Sequence, residues 1–524
     1  MITLYYIIMK NDIIKVVNTI LDTYKEDEYI KEKFQKFMLD HLPNQVLQWK
    51  NDQQRRLTRN EEMAKEHDAF IEVFLRRHTH FYNPQNEQFF SYNGREFKHI
   101  TEDNITQKIS NTIDSESSEL SSWRKKTKMN ILKRIKDKLL IRAIPESETI
   151  QHVLKLLHPS LFIKRNEAKY FLCVLGDNIL KKYNVTNQQS TTYYHFIDSK
   201  AKNLLRDLEY YSNHYFSTTC STSFKHKHHE HSYESCRLVT ILPCVQQEQY
   251  WKNSIKTSAL DILCVACHYS NRYGSADQFL ETLQTDYDLK DHILYLKDNT
   301  QSKIAQSFYD QYLVNSENTT QDNDTNDITW KDITFLWKQF LESNRLPNIM
   351  FMQVLKQELI QYVQEKAQNT GTNSSFDEST DTFIGVTSKL QPNIQCFLSF
   401  WQGTMIQDET EHYMEIDEIA YLYNNWSKTN GNQAIQNERL VELIQFYYPN
   451  VEWQEDKYIH GYKNKLWNKQ TDMIIALDAI RNEVGTHNMN VYDAYEHYCK
   501  YHKDIKLPNL PVSKVYFEHT WENL

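Results

Sequence analysis

The segment ITWKDITFLWKQFLESNRLPNIMFMQVLKQELIQYVQ, residues 328–364, decides how this chain is read. Phe335, Leu336, Phe340 and Leu341 recur at helical spacing after Ile328-Thr329-Trp330-Lys331-Asp332. Met352, Leu355, Leu359 and Val363 do so again after a turn at Asn344–Asn348, and such spacing marks two amphipathic helices. Asp381–Thr387 (DTFIGVT) then reads as a strand. The order returns at Glu415–Lys428, at Asn437–Tyr448 and in a strand pair around Val451–Trp453 and Tyr458–Tyr462. It half-returns at Val491–Tyr501 and Ser513–Trp521. Leu-Pro-Asn marks the turn in two copies, Leu346–Asn348 and Leu507–Asn509.

Helix, turn, helix and a two-stranded wing is the winged-helix order. The expected fold is therefore α+β, mainly helical and multi-domain, with tandem winged-helix-like modules in the C-terminal part. The modules are placed at 328–390, 391–470 and 471–524, the third a helix-turn-helix without a visible wing. Polar stretches at Asn315–Asp327 and Ala367–Thr380 read as a linker and a loop.

Upstream, three further segments are expected. Residues 1–80 carry helical periodicity, residues 81–165 a hairpin and a basic helix, and residues 166–314 a helical α+β domain. In the hairpin, Gln88–Tyr92 and Arg95–Ile100 flank Asn93-Gly94, the dipeptide suited to a two-residue turn. From Ser121 to Arg142 nine basic residues stand against one acid, Asp137. Ile131, Ile135 and Leu139 form an apolar stripe, and Ala143-Ile144-Pro145 is expected to end the helix.

Composition narrows the function. Gly is 9 of 524 residues and Pro 10, too few left-handed turns for Rossmann, P-loop or barrel enzymes. No Gly-x-x-x-x-Gly-Lys-Ser/Thr, Gly-x-Gly-x-x-Gly, Gly-x-Ser-x-Gly or His-Glu-x-x-His string occurs. Carboxylate groups such as Asp261/Asp277 and Asp408/Glu409/Glu411 have no spacing that sets them apart from solvated charges. The expectation is a protein without enzymatic activity. Net charge is −9, but residues 1–165 carry 28 Lys and Arg against 23 Asp and Glu, and the remainder 32 against 46. Any polyanion contact is then local, in the first third. Eight scattered cysteines read as reduced and intracellular, and the apolar opening MITLYYIIM is too short to span a bilayer. The protein is expected to be soluble, with no membrane partner.

The candidate nucleic-acid contacts follow from this distribution. Clustered cations on one rigid element neutralise phosphates and release counterions. Arg124, Lys125, Lys126, Lys128, Lys133, Arg134, Lys136 and Lys138 fit that need, against the plainer alternative of a solvated amphipathic face. In the modules, Gln353, Lys356, Arg439 and Lys514, with Gln357, Asn432 and Gln433 beside them, occupy the ends of would-be recognition helices. Tyr210, Tyr211 and Tyr215 could stack on single-stranded bases, although core packing is the commoner use. Zinc is the one cofactor the residues raise. Cys264, Cys267 and His268, with His229 and His231 in a histidine-rich run, offer ligands, but the second Cys pair of a zinc site is missing. The leading expectation is therefore no cofactor, with the two cysteines packed on a buried helix.

Phe81-Tyr82-Asn83, FSYNGREF at residues 90–97 and Glu102-Asp103-Asn104-Ile105 resemble the segment preceding the ATPase in poxvirus-type and phage/plasmid-type primase–helicases. Residues 492–496 (YDAYE) and 510–517 (LPVSKVYF) are similar to the winged helix that closes those proteins. Residues 145–151 (PESETIQ), 168–171 (AKYF), 176–182 (GDNILKK), 231–234 (HSYE) and 383–389 (FIGVTSK) resemble an uncharacterised family of giant nucleocytoplasmic large DNA viruses. The resemblance implies a viral, DNA-favouring nucleic-acid-binding accessory of replication or transcription, in the viral factory of the host cytoplasm or in the virion. Replication or transcription proteins would be its partners. Helicase activity does not carry over, because the nucleotide-binding loop is absent. Two alternatives stay open: a structural adaptor whose winged helices hold proteins, and a zinc-dependent nucleic-acid enzyme.

Overall fold

A computed structural model of the chain describes residues 2–116, 118–182, 193–228, 231–284, 286–315, 327–371, 373–408, 413–429, 434–455, 457–484, 490–505 and 510–522. It is 68% helix and 10% strand, which makes the chain α+β and mainly helical. Contacts divide it into two compact units. Unit 1 comprises Met1–Ser190, Lys200–Ser223 and Leu242–Asp286; unit 2 comprises Thr191–Ser199, Phe224–Ile241 and Tyr287–Leu524. The segment expected as one domain at 166–314 is thus shared between them. Most of the linker expected at Asn315–Asp327 lies outside the described residues, as do Asn432, Gln433 and the Leu507–Asn509 turn.

Unit 1 opens with α1 (Ile2–Thr23), α2 (Glu28–Lys36) and α3 (Leu42–Arg77). Asp27 starts α2 by accepting the Ile30 amide at 3.1 Å, and a π-helical turn at Phe37–His41 joins α2 to α3 just before Pro43, which has no amide donor for the helical ladder. An antiparallel sheet follows, β1 (Thr79–Asn83), β2 (Gln88–Tyr92) and β3 (Phe97–Ile100), in the order β1-β2-β3. The hairpin stands where expected, but its turn is longer. Tyr92 pairs with Phe97, leaving four residues between the strands. The Asn93 side chain causes this, because its Oδ1 accepts both the Arg95 and Glu96 amides at 2.9 Å.

Next come α4 (Glu102–Glu116) and the basic helix α5 (Arg124–Lys136). The helix stops six residues short of the expected Arg142. Past Asp137 the chain extends along β1 instead, the Tyr82 amide donating to the Lys138 carbonyl at 2.9 Å. Phe70, Phe74, Tyr82, Phe89, Ile105, Ile109, Ile131 and Ile135 form the core beneath.

The rest of unit 1 is α6 (Ser147–Leu157), α7 (Arg165–Ile179), α8 (Lys202–Phe216), α9 (Glu248–Tyr273) and α10 (Ala276–Thr282). Helix α7 is buried almost throughout, and Gly176 lets it approach α9 at Ala266 and Ser270. The buried Asp177 carboxylate accepts from Ser270 Oγ and, at 2.7 Å, from the Ala276 amide. Asp261, midway along α9, accepts the Phe97 amide at 2.7 Å, which ties the helix to β3.

Burial pushes the Asp261 carboxyl up from 3.8 to about 6. A raised carboxyl pKa means that the fold disfavours the ionised form. The penalty is absent below about pH 4 and complete above about pH 6. Asp261→Asn keeps an oxygen for the Phe97 amide, and should stabilise unit 1 at pH 7.5 by at most about 3 kcal/mol. That gain should vanish at pH 3.5, which urea titrations at the two pH values would test; equal effects at both would refute the assignment.

Unit 2 contains a parallel sheet of β4 (Tyr194–Ile197), β5 (Phe224–Lys225) and β6 (Cys236–Val239), with β4 in the middle. Short helices α11 (Tyr287–Ile293) and α12 (Tyr295–Asp298) follow, then α13 (Gln301–Tyr312) and β7 (Val314–Asn315). Thereafter one order of elements occurs twice. In the first copy α13 leads to β8 (Ile328–Thr329), α14 (Trp330–Ser343), α15 (Met352–Thr370), β9 (Ser375–Asp377) and β10 (Thr382–Ile384). The strands pair β8-β10-β9, all antiparallel, with β11 (Val386–Thr387) returning to β7. In the second copy, α16 (Gln391–Thr404) and β12 (Met405–Gln407) precede β13 (Met414–Glu415), α17 (Ile416–Thr429) and α18 (Asn437–Tyr447). Then come β14 (Trp453–Gln454), β15 (Tyr458–Ile459) and β16 (Tyr462–Asn464), the sheet running β13-β15-β14. Helices α19 (Lys469–Val484), α20 (Val491–Ile505) and α21 (Lys514–Glu522) close the chain.

The expected loop at Ala367–Thr380 is largely ordered structure. Helix α15 runs on to Thr370, Gly371 caps it at φ +71°, and β9 follows. A single buried cluster runs from Phe196 through Phe335, Leu359, Phe400, Leu443 and Met473 to Phe517. The repeats therefore share one core rather than each closing its own.

Candidate nucleic-acid interface

Helix α5 turns Thr127, Ile131 and Ile135 inward, so the 3.6-residue period leaves the opposite side to solvent. That side carries Lys125, Lys126, Lys133 and Lys136, all exposed, with Met129 among them. Lys126 lies 3.9 Å from the Trp123 ring centre, a cation–π contact that fixes its ammonium near the helix start. Lys136 stands over Tyr82 and Phe89 and is 3.8 Å from Glu102. The other two basic residues on the helix flanks are committed within the fold. Arg124 pairs with Asp114, and Arg134 with Glu72. Lys128 is half-buried, and Lys138 is exposed on the extended segment beyond the helix. The eight expected contacts thus reduce to one face of Lys125, Lys126 and Lys133, with Lys136 beside Glu102 and Lys138 beyond the helix end.

The module residues are placed differently. Gln353 is exposed at the start of α15. Lys356 donates to Asp381 at 2.5 Å and sits 4.8 Å from the Phe376 ring centre. Arg439 stacks 4.4 Å over Phe335 and pairs with Glu442 at 3.1 Å. Lys514 lies 3.7 Å from Glu518 and over Tyr492. Each cation expected at a phosphate has a carboxylate of its own module. What α15 does offer outward is a row of amides, Gln353, Gln357, Gln361, Gln364 and Gln368, all exposed. Their 4-4-3-4 spacing, which places side chains on one helix face, was legible in the sequence.

The tyrosines divide. Tyr210 is 67% exposed and meets Tyr211 edge-on, whereas Tyr215 packs edge-on against the buried Phe90. Burial, helped by neighbouring phenols, raises the Tyr215 pKa.

Cys264 and Cys267 are fully buried on α9. Burial holds the Cys264 thiol well above its ordinary value and pushes Cys267 up to about 12, which opposes the thiolate that zinc requires. His268 is half-buried on the same helix, its pKa lowered by burial. His231 stacks on Tyr194 in unit 2 at 3.9 Å, while His229 lies outside the described residues. Among the described residues no group of three or more His, Cys, Asp or Glu side chains could hold a metal ion. Of the carboxylates, Asp261 is committed to Phe97, and Asp408 accepts Lys463 at 2.6 Å; Glu409 and Glu411 lie outside the described residues. Among the described residues no helix is long and apolar enough to cross a membrane. Compared with known proteins, the chain matches no family model, no curated protein and no solved structure.

Proposed function

We propose that this is a non-enzymatic nucleic-acid-binding protein, with DNA as the favoured ligand, acting as an accessory in replication or transcription. The observation that carries the reading is the α5 face, where Lys125, Lys126 and Lys133 stand together on a helix anchored by Ile131 and Ile135. A rigid row of cations tracks phosphates without regard to sequence. The two repeated modules of unit 2 are read as winged helices. Their strand order, first strand beside last and last beside middle, supports this in both copies.

The modules are given a second role, protein contact. The carboxylate partners of Lys356, Arg439 and Lys514 favour it, because a cation already paired gains less from a phosphate. Nucleic acid is then held by unit 1, and the module faces receive other proteins.

Fluorescence anisotropy with labelled single- and double-stranded DNA at several salt concentrations tests the proposal. Three phosphate contacts predict a log–log salt slope of roughly −2.7 on duplex. Combining Lys125→Glu, Lys126→Glu and Lys133→Glu should abolish most binding at low salt, while Lys356→Ala should leave it unchanged. No binding at low salt by the unaltered protein would end the reading. Equal binding by the triple variant would move the site off α5.

A further inference from the structure

Residues 5–57 expose apolar side chains on a scale found nowhere else in the described chain. Of 29 large hydrophobic residues left exposed, 17 lie between Tyr5 and Leu57. On α1, Tyr6, Met9, Ile13, Val16 and Ile20 form one row, with Ile14 and Leu21 in a second beside it. Asn11, Asp12, Lys15, Asn18 and Asp22 occupy the other side. Tyr6 is 60% exposed, Ile13 54% and Val16 59%. A helix apolar over so wide an arc is ordinarily buried against other helices. Val46, Trp49 and Leu57 on the first half of α3 are exposed too.

We propose that this surface is the interface with a second copy of the same chain, α1 and the first half of α3 from each copy packing as a helical bundle. Area supports it. Twenty-two residues make a helix about 33 Å long and about 10 Å across, so an apolar arc of roughly 200° presents on the order of 600 Å2. The exposed residues of α3 bring the total near the roughly 800 Å2 per partner that a stable interface needs. Charge supports it as well. Lys10 and Lys15 balance Asp12 and Asp22 on α1, so two copies meet without like-charge repulsion, and an isologous contact needs only a surface that matches itself. A lipid surface fits less well, since interfacial helices carry a basic polar face and this one has two acids, Asp12 and Asp22, against one base, Lys15.

Sedimentation equilibrium of the full chain over the micromolar range tests the proposal, with flotation on phosphatidylcholine and on phosphatidylserine-containing vesicles alongside. The unaltered protein should sediment at twice the chain mass. Ile13→Asp with Ile20→Asp should weaken dimerisation at least about 100-fold, from two buried side chains lost per copy. Circular dichroism and melting of the variant monomer should match the unaltered fold, because α1 adds nothing to the described core. A monomer at every concentration overturns the proposal, and a monomer that floats with vesicles assigns the surface to lipid instead. A dimer indifferent to the two substitutions also overturns it, since its interface then lies elsewhere.

Discussion

Glu418→Ala is expected to destabilise unit 2 by about 3–5 kcal/mol, the cost of leaving a buried charge without its partner. Glu418 and Lys469 are almost completely buried and meet at 2.7 Å. One Glu418 oxygen also accepts the Glu415 amide at 3.0 Å, and the other accepts the Ser513 amide at 3.1 Å. Lys469 donates in turn to the Tyr413 carbonyl at 2.9 Å and lies 4.1 Å from the Tyr516 ring centre. One carboxylate thus joins the starts of α17, α19 and α21. Its removal strands an ammonium and two amides in the core at once. Replacing both partners, Glu418→Leu with Lys469→Met, should recover much of the loss, as apolar pairs often equal buried ion pairs. Chemical denaturation followed through tryptophan fluorescence, with the full double-mutant cycle, is the measurement. A loss below about 1 kcal/mol for Glu418→Ala would mean that water reaches the pair.

Gly176→Ala is expected to be the most damaging single-methyl change in unit 1. Glycine here serves proximity, not an unusual backbone angle. A Cβ at this position would lie 2.6 Å from the Ala266 carbonyl carbon and 2.7 Å from Ser270 Cβ. Neither neighbour is the far end of a flexible chain, so α7 and α9 must separate. Overpacking of this kind costs about 1–3 kcal/mol, more when backbone has to move. The same separation pulls Ser270 from Asp177, whose carboxylate is fully buried. Loss of the unit 1 unfolding transition at 37 °C would fit that arrangement. Gly403→Ala is the control, because nothing lies within 4 Å of a Cβ there; equal effects at the two glycines would refute the packing argument.

The fold was legible where one helix face is apolar, because the signal is local. Leu355, Leu359 and Val363 announce α15, and Leu440, Leu443 and Ile444 do the same for α18. What was missed is what periodicity cannot carry. Strands β8 and β13 are two residues each, too short for an alternating pattern, yet they complete both repeated sheets. The hairpin turn was misjudged because Asn93 spends its side chain on two backbone amides. The site suffered from a different gap. Sequence counts charges, but pairing across 62 residues, as between Glu72 and Arg134, is decided only by packing. Hence Lys125, Lys126 and Lys133 survive as an open face of the basic helix and the module cations do not. The Glu418–Ser513 link, 95 residues apart, was equally out of reach.

The interleaving of the two units has a consequence for how the protein is made. Residues 191–199 and 224–241 belong to unit 2 but are synthesised inside the span of unit 1, which is complete only at Asp286. Strands β4, β5 and β6 therefore leave the ribosome before the helices that supply the rest of their core, including Phe308 and Phe335. During that interval Phe196 and Leu238 have no lasting cover, and uncovered strand edges invite aggregation. Chaperone dependence should be greatest for chains stalled between residues 242 and 300. No single protease cut can release either unit whole, so limited digestion should yield a nicked species that stays together until denatured.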